Sequence, residues 1–491
     1  MRLVALALAL LAALPAAADE PKKDPSELKV ETRHEVTVDG VAFAYSATAG
    51  TVILRGDDDK PRASLFYVSY IREGTDPATR PITFAFNGGP GSSAVWLHLG
   101  ALGPRRVALG DEGEALPPPG RLEDNPATWL DMTDLVFIDP VSTGFSRATE
   151  GQDPKQFHGL DEDVRAVGDL VRILVTRLRR WGSPKALVGE SYGTTRAAHL
   201  ARHLQDGLGM QLSAVVLISA VLDFQTIRFD QGNDMPYWLY VPSYTASAFH
   251  HKKLEAPLQE SLVKTLAEVE VWTRQTYLPA LAAGDALPAA ERAAVAKSLA
   301  RYTGIPVEVC ERADLRISQG LFCKELLRDQ GKSVGRFDAR YVGTDRLKLG
   351  SSPDYDPSYA AVQGPYTSGI NDYLRRELGF ESDMTYEVLT GRVHPWNLGA
   401  QNRYATVVES LRDAVVENKG LHVLFCGGYT DLATPYFAMD HTIAHMGLAP
   451  EDKARVHRAT YAAGHMMYLR KADLLKLKAD AAAVYQAATK R

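Results

Sequence analysis

Residues 185 to 204 constrain the fold more than any other stretch of the chain. Lys185-Ala186-Leu187-Val188-Gly189 is a short apolar run of the kind that forms a strand buried on both faces, and Thr194 to Leu204 has the composition of a helix. Between them stands Gly189-Glu190-Ser191-Tyr192-Gly193. A strand that becomes a helix within so few residues passes through a sharp bend. Glycines two positions either side of Ser191 keep side chains out of that bend, and the bend raises the serine hydroxyl into the open at the positive end of the helix dipole. This spacing predicts a nucleophile at Ser191.

The rest of the chain supplies the sheet that such a bend needs. From Glu27 to about Phe86, short runs such as Lys29-Val30-Glu31-Thr32, Ala42-Phe43-Ala44-Tyr45 and Ala63-Ser64-Leu65-Phe66-Tyr67-Val68 are punctuated by Asp39-Gly40 and Ala49-Gly50, which predicts antiparallel strands joined by tight turns. Ile82 to Phe86, Asp134 to Asp139, Lys185 to Gly189 and Ala214 to Ile218 read as central parallel strands, and Leu160 to Trp181 carries Val164, Val167, Leu170, Val171 and Leu174 at helical intervals. The sheet pattern returns at Gly420 to Phe425 and Arg455 to Tyr461. Strands alternating with helices imply a sheet covered on both faces. Together with the bend at Ser191 this is the α/β-hydrolase fold: a central, mostly parallel sheet flanked by helices. Residues 225–385, rich in alanine, leucine and aromatics, read as a helical cap inserted between a first core part, 19–224, and a second, 386–491.

Bulk properties narrow the function. With 491 residues, 45% of them hydrophobic, there is ample material for a large core, and a net charge of −5 excludes a broad electrostatic attraction to nucleic acid or anionic lipid. Peptides, esters or other small molecules are the substrates to expect. The opening MRLVALALALLAALPAAADE has a positive residue, an apolar run and Ala16-Ala17-Ala18 before Asp19, the layout of a signal peptide over residues 1–18. Export, to the periplasm or the medium, follows, with no integral membrane segment left after cleavage. Only three cysteines occur, Cys310, Cys323 and Cys426; a bridge from Cys310 to Cys323 and a pair of unlinked buried thiols are both open. No Cys/His cluster has zinc-ligand spacing, so neither metal nor cofactor is expected.

A serine hydroxyl needs a base, and the base needs an oriented partner. His465, in Ala463-Gly464-His465-Met466-Met467, follows the last strand pattern, where a loop at the carboxyl edge of the sheet delivers an imidazole to the serine. Asp431, in Gly427-Gly428-Tyr429-Thr430-Asp431, lies beyond the strand ending at Phe425 and suits the acid; Asp440 is a weaker rival inside the following helical run. The order Ser, Asp, His is that of this fold. Asn87-Gly88-Gly89-Pro90-Gly91-Ser92-Ser93, after the Ile82–Phe86 strand, offers bare backbone N–H groups for an oxyanion.

With these motifs in view the chain resembles the serine carboxypeptidase family, as a bacterial, exported member. The resemblance rests on Asn87-Gly88-Gly89-Pro90-Gly91 with Leu102-Gly103-Pro104, Asn125-Pro126-Ala127-Thr128-Trp129, Asp139-Pro140-Val141-Ser142-Thr143-Gly144-Phe145-Ser146, Gly189 to Gly193, Gly427 to Asp431 and Gly464-His465-Met466, in the family's order. It implies an oxyanion hole from the amides of Gly89 and Tyr192, a triad of Ser191, Asp431 and His465, and a site for a peptide's terminal carboxylate at Asn87 and Glu190, with Gly88 and Met466 beside them. Three positions depart from the pattern. Ala85 and Ala101 stand where the family has a tryptophan and a glutamate that assist the carboxylate site, and Ser92 replaces a cysteine. The leading expectation is a carboxypeptidase acting through an acyl-enzyme. An esterase or acyltransferase with the same triad is the second reading, and a noncatalytic exported binding protein on a hydrolase scaffold the third. Arg196, Trp238, Tyr240 and Tyr244 are weighed as channel-lining residues against simple burial in the core.

Overall fold

The computed structural model describes residues 25–490; the expected signal segment lies outside the described residues. Three long strands come first, β1 (Lys29–Val38), β2 (Val41–Arg55) and β3 (Pro61–Arg72), paired antiparallel. Asp39 and Gly40 both adopt positive φ, 49° and 77°, between the paired residues Val38 and Val41, which gives a two-residue hairpin turn whose twist matches the strands. β4 (Ile82–Phe86), β5 (Asp134–Ile138), β6 (Lys185–Glu190), β7 (Ala214–Ile218), β8 (His422–Gly428) and β9 (Val456–Tyr461) follow. With the short strand Arg147–Ala148 on β3 they make one ten-stranded sheet in the order β1-β2-β3-β5-β4-β6-β7-β8-β9. β3 meets β5 antiparallel, and every pairing from β5 across to β9 is parallel.

Strand periodicity divides the core into two layers. On β7, Val215 and Leu217 pack on the face covered by α1 (Leu160–Arg177) and α2 (Tyr192–Leu208), while Val216 and Ile218 point to the face covered by α3 (Pro357–Arg376) and α4 (Lys471–Thr489). Each such side chain, wholly removed from water, contributes about 1.5–3 kcal/mol. The stretch between β7 and β8 builds a third cluster of buried residues, from Trp238 to Ala339, which Leu432, Tyr436 and Phe437 join. α3 belongs by packing to the sheet, since Tyr366, Ile370 and Tyr373 lie in the main core. Cys310 and Cys323 are buried and free, so the bridge left open by the sequence is not formed; Cys426 is likewise a buried free thiol. Burial pushes all three thiols up to about 12, which leaves them protonated and unreactive. Among the described residues no helix is long and apolar enough to cross a membrane.

One feature of the topology locates the site. After β4 the chain adds β5 on one side, then returns to add β6 on the other. The loops leaving the carboxyl ends of β4 and β6 therefore diverge around a crevice, the place where sheets of this kind bind ligands. Those loops carry Asn87-Gly88-Gly89 and Ser191.

Candidate active site

Ser191 occupies the single residue between β6 and α2, at φ 59° and ψ −130°, a conformation that L-residues rarely adopt and that surrounding structure has to hold. Its amide donates to the Ile218 carbonyl on β7 at 3.0 Å. Crowding explains the flanking glycines: a Cβ on Gly189 would strike the Gly193 carbonyl, and one on Gly193 would reach the Phe86 oxygen at 2.8 Å.

Register brings the second loop alongside. Ala85 pairs with Val188 and Phe86 with Gly189, so the chain leaving β4 starts next to the bend. A Cβ on Gly88 would fall on the Tyr192 amide nitrogen, and Gly89 takes φ 101°. The loop is fixed from behind by Arg196 of α2, whose Nη1 donates to the Asn87 carbonyl at 2.5 Å and whose Nε donates to Asp163 at 2.6 Å, with both charged groups buried. The Asn87 side-chain oxygen accepts from the Leu97 amide at 3.1 Å. The amides of Gly89 and Tyr192 thus border the same small region as the Ser191 side chain.

Asp431 and His465 arrive from the neighbouring strands β8 and β9, where Gly428 pairs with Tyr461. His465 Nδ1 lies 2.8 Å from Asp431 Oδ2. The Asp431 carboxylate is wholly buried and accepts from the amides of Ala433 (2.7 Å) and Thr434 (3.0 Å) and from the Thr434 hydroxyl (2.9 Å), so its anionic form is satisfied without water. With Nδ1–H committed to Asp431, Nε2 is the nitrogen left to take a proton. Burial opposes charge on the His465 ring, yet the Asp431 carboxylate, helped by Glu190, outweighs it and holds the imidazole pKa above its ordinary value. Ser191 and His465 line one cleft of about 370 Å³. Among the described residues Ser191 Oγ makes no hydrogen bond; such contacts commonly tighten only when substrate arrives.

The same cleft receives Asn87, Gly88, Gly89, Glu190 and Met466. Glu190 is buried, and burial pushes its carboxyl up to about 7 against the opposing pull of His465, the Tyr468 hydroxyl (2.6 Å) and the Asn87 side chain. Ala85 and Ala101 sit in the main core and do not line the cleft. Trp96 does line it, with Nε1 donating to Ser92 Oγ at 2.9 Å, so an indole reaches the cleft from the short helix Val95–Leu97 rather than from the strand.

A second cavity, of about 330 Å³, also reaches Ser191 and includes Tyr192 and Tyr240. Of the four residues weighed as channel lining, Tyr240 alone lines a cavity at the serine; Arg196, Trp238 and Tyr244 are buried in the protein. Asp440 is paired with Arg458 (2.7 Å) on the helix Tyr436–Ala444 and makes no bond to His465.

Several contributors gave no signal in the sequence. Thr434 Oγ1 stands within hydrogen-bonding reach of Asp431, His465 (3.2 Å) and the Ser219 carbonyl (3.0 Å). Phe337 and Asp338 come from the segment between β7 and β8: the Phe337 carbonyl accepts from the His465 amide at 2.6 Å, and Asp338 accepts from the Gly464 amide at 3.0 Å and the Thr430 hydroxyl at 2.8 Å. A Cβ on Gly464 would meet Asp338 Cα at 2.6 Å, which gives the glycine before His465 its reason.

Comparison with known proteins finds partial likenesses. The family model described as serine carboxypeptidase matches residues 47–274. Serine carboxypeptidase-like 46 of Arabidopsis thaliana is 25% identical over 240 residues, covering 44% of this chain and 47% of that protein. Serine carboxypeptidase-like 45 of the same plant is 30% identical over 126 residues, 25% of this chain and 23% of its own length. The matched stretches span less than half the length of these relatives. Among solved structures, the Aspergillus niger epoxide hydrolase aligns at 15% identity with a TM-score of 0.33, covering 90% of this chain and 78% of that one. Its sheet and the strained serine between strand and helix give the chain the α/β-hydrolase fold, and over residues 47–274 it is similar to the serine carboxypeptidases.

Proposed function

We propose that this hydrolase is a serine-type carboxypeptidase, releasing C-terminal residues from peptides. The observation that carries the reading is Glu190: a buried carboxyl beside Asn87 in the cleft of Ser191, with its pKa pushed up to about 7. A carboxylic acid that is neutral in mildly acidic solution donates a hydrogen bond to a carboxylate, and a terminal carboxylate is the one group every carboxypeptidase substrate carries there. Asn87 supplies a further polar contact, and Gly88 and Met466 shape the wall. In this reading the residues 225–385 are the inserted region, of which α3 packs back on the sheet and the remainder forms the cap, and the protein is a bacterial one, exported to the periplasm or the medium.

Ser191 Oγ attacks the scissile carbonyl while His465 Nε2 takes its proton. Asp431 stabilises the imidazolium, and the amides of Gly89 and Tyr192 receive the oxyanion. His465 then protonates the leaving amine, and water, activated by the same imidazole, resolves the acyl-enzyme. No cofactor enters these steps.

An esterase or acyltransferase is the second reading, favoured by Ala85 and Ala101, which leave the cleft without the two carboxylate contacts expected there. Incubating a peptide mixture with the wild type and with Ser191→Ala, followed by mass analysis, decides between them when paired with a blocked dipeptide, its C-terminal amide and a simple ester. Trimming from the carboxyl end by wild type alone, with the amide a poor substrate, supports the carboxypeptidase. Equal turnover of acid and amide, or turnover of the ester alone, overturns it.

A further inference from the structure

The second cavity at Ser191 has a composition that the reaction itself does not require. Its walls are aromatic, with Phe224, Phe229, Tyr240 and Trp396, but two guanidinium-bearing residues, Arg228 and Arg336, also line it, and no aspartate or glutamate does. Neither guanidinium makes an ion pair or a side-chain hydrogen bond among the described residues. Arg228 rests over the Phe224 ring at 5.9 Å and Arg336 over Phe337 at 5.2 Å, contacts that set the position of a cation without neutralising it. Arg336 is shared by both cavities, and its charge is close enough to oppose protonation of His465. Both arginines are exposed, so a substrate carboxylate can reach their guanidinium groups. Two uncompensated cations facing one cavity beside the reacting serine form an anion-binding wall.

Which part of a substrate enters this cavity follows from the reading above, on which the inference rests. Glu190 and Asn87 lie in the first cavity, so the leaving residue with its terminal carboxylate goes there. The side chain that precedes the cleaved bond then enters the second. We infer that this second cavity selects an acidic side chain, glutamate or aspartate, on the acyl side of the cleaved bond, with Arg228 and Arg336 as its counter-charges. The aromatic walls accept the methylene stem, and the carboxylate meets guanidinium groups that are themselves exposed, which makes the attraction sensitive to salt.

Blocked dipeptides with glutamate, glutamine or phenylalanine before a common leucine, assayed with the full chain at low and high salt, test this. The expected result is a kcat/KM for glutamate about tenfold above glutamine at low salt, shrinking as salt is added. In Arg228→Gln and Arg336→Gln the glutamate-to-glutamine ratio falls toward one, and Arg228→Lys restores part of it. A wild-type ratio of one or below, or a ratio that neither glutamine substitution moves, overturns the inference while leaving the carboxypeptidase reading intact. If none of the dipeptides is cleaved, the carboxypeptidase reading fails. The same ratio is then taken from nitrophenyl esters of the blocked glutamate and glutamine, where no advantage for glutamate, or no turnover, overturns the anion-binding wall as well.

Discussion

His465 Nδ1 and Asp431 Oδ2 stand 2.8 Å apart in a region closed to solvent, with the other carboxylate oxygen taken up by two backbone amides. An aspartate fixed this way dictates the imidazole tautomer as well as its orientation. Asp431→Asn, which keeps the size and removes the charge, should lower kcat by about 10⁴-fold, as loss of the acid does in triads of this type. Ser191→Ala should fall at least as far and should also abolish labelling by a fluorophosphonate probe. Asp431→Asn activity within tenfold of wild type, measured on any cleaved substrate, would show that Asp431 is not the orienting acid.

Glu190 gives a pH dependence with a definite sign. The productive arrangement has a proton on Glu190 and none on His465, so kcat/KM for a free-carboxylate peptide rises as His465 deprotonates and falls as Glu190 ionises near 7. Because the Glu190 charge helps hold the His465 pKa up, Glu190→Gln should both remove the alkaline limb and move the acid limb to lower pH. A pH profile that is identical in the variant rules the role out.

Stability follows the same group. Folding raises the Glu190 pKa from its ordinary 4.5 to about 7, so the folded state favours the proton. The stabilisation tied to that proton is complete below about pH 4.5 and is lost as the pH rises through 7, on the order of 3 kcal/mol in all. Thermal melts at pH 5 and pH 8 should therefore show Glu190→Gln gaining on wild type at the higher pH. A Tm difference that does not change with pH contradicts the linkage.

Gly88 tolerates no side chain, since its Cβ would fall on the amide of Tyr192. Gly88→Ala is expected to push the loop away from the serine and cost about 10²–10³-fold in kcat, the effect of losing an oxyanion donor. Comparing kcat with the rate of fluorophosphonate labelling checks it, and both should fall.

The buried Arg196–Asp163 pair anchors the same loop from the opposite side, through the Asn87 carbonyl. Arg196→Ala leaves Asp163 buried without a partner and should destabilise by about 3–5 kcal/mol, measured by urea unfolding. Arg196→Met with Asp163→Leu should recover most of that stability but not the activity, because the Asn87 carbonyl stays unheld. Full recovery of both would confine the pair to a structural role.

Much of this protein was decided locally, by residues whose neighbours in sequence are also their neighbours in space. The bend at Ser191 is legible because Gly189 and Gly193 answer to backbone crowding within five residues, and β4 to β7 are legible because a strand buried on both faces has to be apolar throughout. Asp431 and His465 were readable for a related reason, as each follows the end of a recognisable strand. Thr434, Asp338 and Arg336 were not, and neither were the two cavities. Their roles depend on contacts between segments far apart in the chain: Asp338 on Gly464, Arg336 on the space beside Ser191, Arg196 on Asp163 and Asn87. A side chain bonded to a distant backbone group leaves no periodicity and no spacing, so only the folded chain could choose which cations stay unpaired and which carboxyl is buried deeply enough to keep its proton.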